Sequence, residues 1–147
     1  MTDIFPAPIV ANDWFSEVPP LRGRVVLQWH LTERCNLRCT HCYQEGGPGE
    51  ELPFRDLLRI LAQFKELVGW LGEEAEPFPV KGQINVSGGE PFLRNDFFDL
   101  LSTFHAERDW LSFAILTNGT YIDDAIARCL RGLDAVFVQV SMEGGKE

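Results

Sequence analysis

The chain has 147 residues, of which 45% are hydrophobic and 24% are charged, as expected for a folded domain and not for a disordered segment. The formal net charge of −9 argues against a general nucleic-acid-binding protein, because neutralising phosphate groups requires clustered Lys and Arg. No apolar run approaches the ~20 residues of a membrane-spanning helix, and the N-terminus lacks the basic start and apolar core of a signal peptide, so we expect a cytoplasmic protein without a membrane segment.

Four prolines interrupt the start of the chain, where residues 1–23 are predicted to form an irregular lead-in without chemistry of its own. Residues 24–147 are predicted to form one domain, since a chain of this length supports a single hydrophobic core. The first element of that domain is a buried strand at residues 25–31, which are dense in β-branched and aromatic side chains.

Three cysteines, Cys35, Cys39 and Cys42, follow this strand within one short loop. In a reducing compartment clustered cysteines indicate a metal site before disulfides, and soft thiolates select zinc, copper(I) or iron–sulfur clusters. A structural zinc ion requires four ligands, so His30 or His41 would have to complete the site in a zinc-stabilised binding module. An electron-transfer protein usually holds a [4Fe–4S] cluster by four cysteines, whereas three thiolates would leave one iron open to a ligand that is not protein.

Helical and strand patterns alternate through the rest of the chain. The predicted elements are a helix at 53–71, a strand at 80–86, a helix capped by Asn95 and running to 104, a strand at 111–116, a helix at 122–130 and a strand at 135–140. Cys129 falls on the apolar side of the third helix, so we predict a buried structural cysteine and not a fourth metal ligand. Trp29, Trp70 and Trp110 are predicted to lie in the core.

The order β-α-β-α-β-α-β predicts an α/β fold with parallel strands joined by right-handed helical crossovers. Each candidate motif follows the carboxyl end of a strand: the cysteine loop, the pair Gly88 and Gly89, Asn118 and Ser141. The carboxyl ends of parallel strands share one edge of the sheet, and α/β proteins bind their ligands at that edge. The sequence therefore predicts that all of these motifs lie close together in one site.

The cysteine loop resembles the radical SAM superfamily, whose hallmark is three cysteines spaced C-x3-C-x2-C. The resemblance extends to Ser-Gly-Gly-Glu-Pro at 87–91, Thr-Asn-Gly-Thr at 117–120 and Val-Ser-Met-Glu-Gly-Gly at 140–145. It implies a partial (β/α) barrel of six βα units, of which about four would be present here, so we expect the N-terminal part of a larger enzyme. The motifs are most similar to the branch that often carries a SPASM-type C-terminal extension, many of whose members modify peptides or mature cofactors.

The resemblance also implies the cofactors. Cys35, Cys39 and Cys42 would hold a [4Fe–4S] cluster, and the amino and carboxylate groups of S-adenosylmethionine (SAM) would chelate its open iron. Reductive cleavage of SAM would then yield a 5′-deoxyadenosyl radical that abstracts hydrogen from a substrate, with a flavodoxin or a ferredoxin as the electron donor. His41 would stack on the adenine, and Tyr43 would position the adenine through its backbone or pack against the loop.

Further SAM contacts are implied at the other strand ends. Gly88 and Gly89 would let the backbone approach SAM closely, and Glu90 would accept a hydrogen bond from its ammonium group. Asn118 would contact the ribose or the methionine part of SAM, although Asn-Gly is also a common turn dipeptide. Ser141 would contact the ribose or the carboxylate.

Overall fold

The computed structural model describes residues 23–42, 50–135 and 137–142. The lead-in at 1–22, Tyr43 and the segment 143–147 lie outside the described residues. The elements, in chain order, are β1 (Gly23–His30), α1 (Phe54–Glu74), β2 (Val80–Ser87), a short 3-10 helix (Pro91–Leu93), α2 (Phe97–Ala106), β3 (Leu111–Thr117), α3 (Asp124–Gly132) and β4 (Phe137–Val140). None of the helices in these described ranges combines the length and the apolar character that crossing a membrane demands.

The four strands form one parallel sheet in the order β1-β2-β3-β4, with a helix in each crossover. The last residue of β1, His30, is paired with the last residue of β2, Ser87, and the last residues of β3 and β4, Thr117 and Val140, are also paired. The carboxyl ends of the strands therefore lie along one edge of the sheet. This confirms the predicted α/β class and the parallel strands, which correspond to part of a (β/α) barrel.

The hydrophobic core lies between the sheet and the helices on one of its faces. Helix α1 contributes Leu57, Leu61, Phe64 and Val68, which recur at three- and four-residue steps and therefore lie on one side of the helix. Helix α2 contributes Phe97, Leu100, Leu101 and Phe104. Burying a side chain of this size stabilises the fold by about 1.5–3 kcal/mol, so this layer holds the strand ends in place.

The start of α2 differs from the prediction that Asn95 caps it. The helix begins at Phe97, with Asp96 in the cap position and no side-chain hydrogen bond to the first turn. The carboxylate of Asp96 instead accepts from the guanidinium of Arg94 at 2.9 Å through both oxygens. The cap prediction was wrong because the helix starts one residue later than predicted, which puts Asp96 and not Asn95 in the cap position.

Two predicted core residues are exposed. Trp70 has 55% of its surface exposed, whereas Trp29 is buried and Trp110 is partly buried against the core. Trp70 follows the buried Val68 by two residues, and two helical steps of about 100° carry it to the opposite side of α1. Cys129 is exposed as well, one step around α3 from the buried Leu130. The prediction of a buried structural cysteine was therefore wrong.

Candidate functional site

A cleft of about 200 Å³ opens at the carboxyl edge of the sheet, between the cysteine loop and the ends of β2, β3 and β4. The predicted site residues that line this cleft are Cys35, Cys39, His41, Cys42, Gly88, Gly89, Asn118 and Ser141. Glu90 does not line it, and Tyr43 lies outside the described residues. Motifs that are distant in the sequence meet here because the strands run parallel and their ends are in register.

The three thiols of the cysteine loop differ in their exposure to solvent. Cys35 is half-buried, whereas Cys39 and Cys42 are exposed. The backbone N–H of Leu37 donates to the sulfur of Cys35 at 3.5 Å, and the N–H of Cys42 donates to the carbonyl of Cys39 at 3.2 Å. In the part of the chain that the structure describes, no three His, Cys, Asp or Glu side chains are grouped to hold one metal ion. The three thiols share one cleft and an N–H donor reaches Cys35, so their chemistry fits an iron–sulfur cluster even though they do not enclose a single metal ion.

The glycine pair after β2 packs directly against the backbone of the cysteine loop. The N–H of Gly89 donates to the carbonyl of Thr32 at 2.7 Å, and the N–H of Glu90 donates to the carbonyl of Arg34 at 2.8 Å. A Cβ atom on Gly89 would lie 2.2 Å from the carbonyl oxygen of Arg34, and one on Gly88, where φ is +136°, would lie 2.4 Å from that of Thr32. Only glycine allows this approach, so the pair positions the strand end next to the thiols.

The carboxylate of Glu90 lies behind the cleft and is fully buried, with 0% of the residue exposed. Its oxygens accept from the hydroxyl of Thr117 at 2.8 and 2.9 Å, from the N–H of Asn118 at 2.8 Å and from the N–H of Phe92 at 3.2 Å. Thr117 was not among the predicted site residues, because its contact with Glu90 spans 27 residues of sequence and no local pattern indicates it. A direct contact between Glu90 and a ligand stays a prediction.

The side-chain amide of Asn118 is engaged with the protein on both sides. Its oxygen accepts from the hydroxyl of Thr120 at 2.7 Å and from the N–H of Thr120 at 3.0 Å. Its nitrogen donates to the side-chain oxygen of Asn36 at 2.9 Å and lies 3.8 Å from the sulfur of Cys35. Just after β4 the N–H of Ser141 donates to the carbonyl of Thr117 at 2.9 Å, which holds Ser141 beside the cleft.

Arg94 is a buried arginine that the sequence analysis did not single out, with 2% of its side chain exposed. Besides Asp96, its guanidinium donates to the carbonyl of Leu31 at 2.9 Å and to that of Leu52 at 3.0 Å. One side chain thereby ties the end of β1, the segment before α1 and the turn before α2 to each other, as the forked donors of a guanidinium allow. The available sequence signal was an Arg followed two residues later by an Asp, just after the glycine turn.

Glu51 connects Arg94 to Thr32 and Arg34, which lie just before the cysteine loop. Its carboxylate accepts from the hydroxyl of Thr32 at 2.5 Å and from the guanidinium of Arg34 at 2.8 and 3.2 Å, and Arg94 lies 3.9 Å away. Burial alone would raise the pKa of Glu51, but hydrogen bonds from Thr32 and Arg34 and the charges of Arg34 and Arg94 outweigh it and lower that pKa below its usual value.

This lowered pKa makes part of the stability depend on pH. Since the folded pKa of Glu51 is below the unfolded value of about 4.3, its contribution is fully present above that value and is lost as the pH falls through the folded pKa. We expect Glu51→Gln to be less stable than the unchanged chain at pH 7, and the difference to shrink towards pH 3. Urea unfolding over this pH range measures it, with the exposed Glu73→Gln as control. A difference that stays constant with pH would contradict the assignment.

The sequence profile described as Radical SAM superfamily matches residues 29–147. The Fe-coproporphyrin III synthase of Methanosarcina barkeri is 34% identical over 122 residues, which cover 83% of this chain and 28% of that protein. The mycofactocin maturase MftC of Mycolicibacterium smegmatis is 32% identical over 144 residues, which cover 98% of this chain and 33% of that protein. The chain thus spans about a third or less of the length of these relatives.

The fold has a counterpart among solved structures. The crystal structure of Streptococcus suis SuiB bound to the precursor peptide SuiA superimposes with a TM-score of 0.55 at 22% identity, over 80% of this chain and 23% of that one. At this identity the likeness concerns the fold, and it agrees with the partial barrel described above. The family follows from the sequence match, which spans most of the chain and confirms the prediction made from its motifs: the chain belongs to the radical SAM superfamily.

Proposed function

We propose that this chain forms the part of a radical SAM enzyme that binds the cluster and SAM. The observation that supports this most directly is that Cys35, Cys39 and Cys42 line one cleft together with the glycine pair and Ser141, at the carboxyl edge of the sheet. In a chain of this superfamily, three thiols from one loop match a [4Fe–4S] cluster that keeps one iron for a ligand that is not protein. That ligand would be SAM.

In this proposal each part of the cleft has a role. Cys35, Cys39 and Cys42 would hold the cluster, which with SAM bound would supply one electron for reductive cleavage of SAM to methionine and a 5′-deoxyadenosyl radical. The exposed ring of His41 lies on the cleft, where it can stack on the adenine. Ser141 offers a hydroxyl to the ribose or the carboxylate of SAM.

Some of the remaining predicted residues line the proposed SAM site, and others lie behind it. Gly88 and Gly89 line the cleft and leave its wall free of side chains, so that SAM can approach their backbone. Glu90 holds this turn from behind through its buried carboxylate, and Asn118 borders the cleft. The predicted contact of Tyr43 with the adenine completes the proposal, while the carboxylate of Glu90 and the amide of Asn118, whose polar atoms are engaged within the protein, support the SAM site from behind.

We propose that the substrate is either a cofactor precursor or a peptide. The relatives support it by their names, since one is a synthase of Fe-coproporphyrin III and another is a mycofactocin maturase, while the structural counterpart SuiB was solved with a precursor peptide. A flavodoxin- or ferredoxin-like donor would deliver the electron.

Anaerobic reconstitution with iron and sulfide tests the proposal. We expect the chain to take up about four iron and four sulfide ions, as in a [4Fe–4S] cluster, and the EPR signal of the dithionite-reduced protein to change when SAM is added. A cluster that does not respond to SAM would instead indicate an electron-transfer protein. Uptake of one zinc ion and no cluster would replace the proposal with a zinc-stabilised binding module.

A further inference from the structure

We propose that Asn118 is a positioning residue that donates an N–H to the sulfur of Cys35 and thereby raises the reduction potential of the cluster. A closed ring of hydrogen bonds with Asn36 and Thr120 holds its amide in the required orientation. This inference rests on the proposed function, because Cys35 must be a cluster ligand for the donor to act on the cluster. It also gives Asn36 and Thr120 the role of orienting the Asn118 amide, which the sequence motifs did not indicate.

The orientation of the amide follows from its neighbours. The backbone N–H of Thr120 can only donate, and it lies 3.0 Å from the side-chain oxygen of Asn118. The oxygen must therefore face Thr120, and the nitrogen must face the cysteine loop, which settles an assignment that amide geometry alone leaves open. Of the two N–H groups on that nitrogen, one reaches the oxygen of Asn36 at 2.9 Å and the other is directed at the sulfur of Cys35, 3.8 Å away.

The ring closes through Asn36. Because the oxygen of Asn36 accepts from Asn118, its nitrogen faces the hydroxyl of Thr120 and donates to it at 2.9 Å. That hydroxyl donates its own hydrogen to the oxygen of Asn118 at 2.7 Å. Each of the three side chains donates to the next, so the ring joins the loop that carries Cys35 to the loop after β3 across more than 80 residues of sequence.

The backbone of Asn118 is held from the other side. Its N–H donates to the buried carboxylate of Glu90 at 2.8 Å, and the hydroxyl of Thr117 donates to the same carboxylate. The next residue, Gly119, has φ of +75°, and its N–H donates to the hydroxyl of Thr117 at 3.0 Å. The buried carboxylate of Glu90 and the turn at Gly119 therefore hold the backbone of Asn118, and with it the position of the amide nitrogen relative to Cys35.

An N–H directed at a cluster sulfur favours the reduced, more negative cluster, and hydrogen bonds to the sulfurs are among the factors that set the potential. Across residues 23–42, 50–135 and 137–142, the N–H donors that reach a loop sulfur are those of Leu37 and Asn118, and both reach Cys35. Removing the donor of Asn118 should therefore make the cluster harder to reduce.

An EPR-monitored redox titration of the reconstituted chain tests this inference. In Asn118→Leu, which keeps the side-chain size and removes the N–H, we expect the midpoint potential to shift to a more negative value. Thr120→Val removes one of the two donors that hold the amide oxygen, keeps the backbone N–H and does not touch Cys35, so it should shift the potential in the same direction by a smaller amount. Asn85→Leu is the matched control, because Asn85 is also half-buried but accepts from Gln83, away from the loop.

The outcomes separate this inference from the proposed function. If the unchanged chain binds a cluster that responds to SAM but the potential of Asn118→Leu equals that of the unchanged chain, the inference is wrong and the proposed function stands. A lower melting temperature without a shift in potential would likewise reduce Asn118 to a structural role. If Asn118→Leu does not fold, Asn118→Ala removes the same N–H with a smaller side chain, and an unshifted potential in that variant overturns the inference. If the unchanged chain binds no cluster, both proposals fall together.

Discussion

Replacing Cys35 with alanine is expected to abolish assembly of the iron–sulfur cluster. Two thiols remain in the loop of such a variant, and the other described cysteine, Cys129, is exposed on α3 and does not line the cleft. With one ligand lost, the cluster would expose two irons instead of one and would not persist. Iron and sulfide analysis and the absorbance of the anaerobically reconstituted variant measure this effect, and we expect the loss to be complete or nearly so.

The chain supplies its own matched control for this experiment. Cys129→Ala removes a thiol of the same type that lies outside the cysteine loop, and it should bind iron and sulfide as the unchanged chain does. Cys39→Ala and Cys42→Ala should behave like Cys35→Ala. A full iron and sulfide content in Cys35→Ala, or a loss of cluster in Cys129→Ala, would show that the ligand set differs from the one proposed here.

The second large effect is expected in Glu90→Gln, which should destabilise the protein by about 3 kcal/mol. The carboxylate oxygens of Glu90 accept from the N–H of Asn118 and from that of Phe92. A glutamine has only one acceptor oxygen, so its NH₂ group must face one of these donors. Since the residue is fully buried, water cannot satisfy the N–H that loses its partner.

Urea unfolding of the chain without cluster measures this change independently of any cofactor. The control is Glu66→Gln on the exposed side of α1, which should change the unfolding free energy by less than about 0.5 kcal/mol. The same side chain also anchors the backbone of Asn118, so we expect Glu90→Gln to weaken cluster retention as well. A variant as stable as the control would mean that the acid is not the buried acceptor described here.

Much of the fold was predictable because it depends on local patterns. The three-residue and four-residue spacing of Leu57, Leu61, Phe64 and Val68 indicated both α1 and its buried side. The alternation of helices with apolar strands indicated a parallel sheet, and with it a shared carboxyl edge. The predicted positions of Cys35, Gly88, Asn118 and Ser141 at that edge agree with the cleft, because a parallel sheet places the ends of its strands together.

Burial was less predictable, as Trp70 and Cys129 show. Both residues are of types that are usually buried, and Cys129 also lies close to an apolar stripe. Periodicity states which side of a helix a residue occupies but not how much of that side the sheet covers. The exposure of Trp70 follows from where α1 rests on the sheet, and that position is set by the packing of α1 as a whole.

The amino-acid sequence by itself determined the family, the order of the elements and the residue types that reach the site, since these are carried by motifs and short spacings. Tertiary structure alone decided the partners of these residues. Glu90 reaches Thr117 and Asn118, Asn118 reaches Asn36 and Cys35, and Arg94 reaches the carbonyl of Leu31. These contacts join segments separated by 27 to 83 residues of sequence. The physical reason is that a hydrogen bond depends on the distance and direction between two groups, and these are set only when the strands and helices pack together.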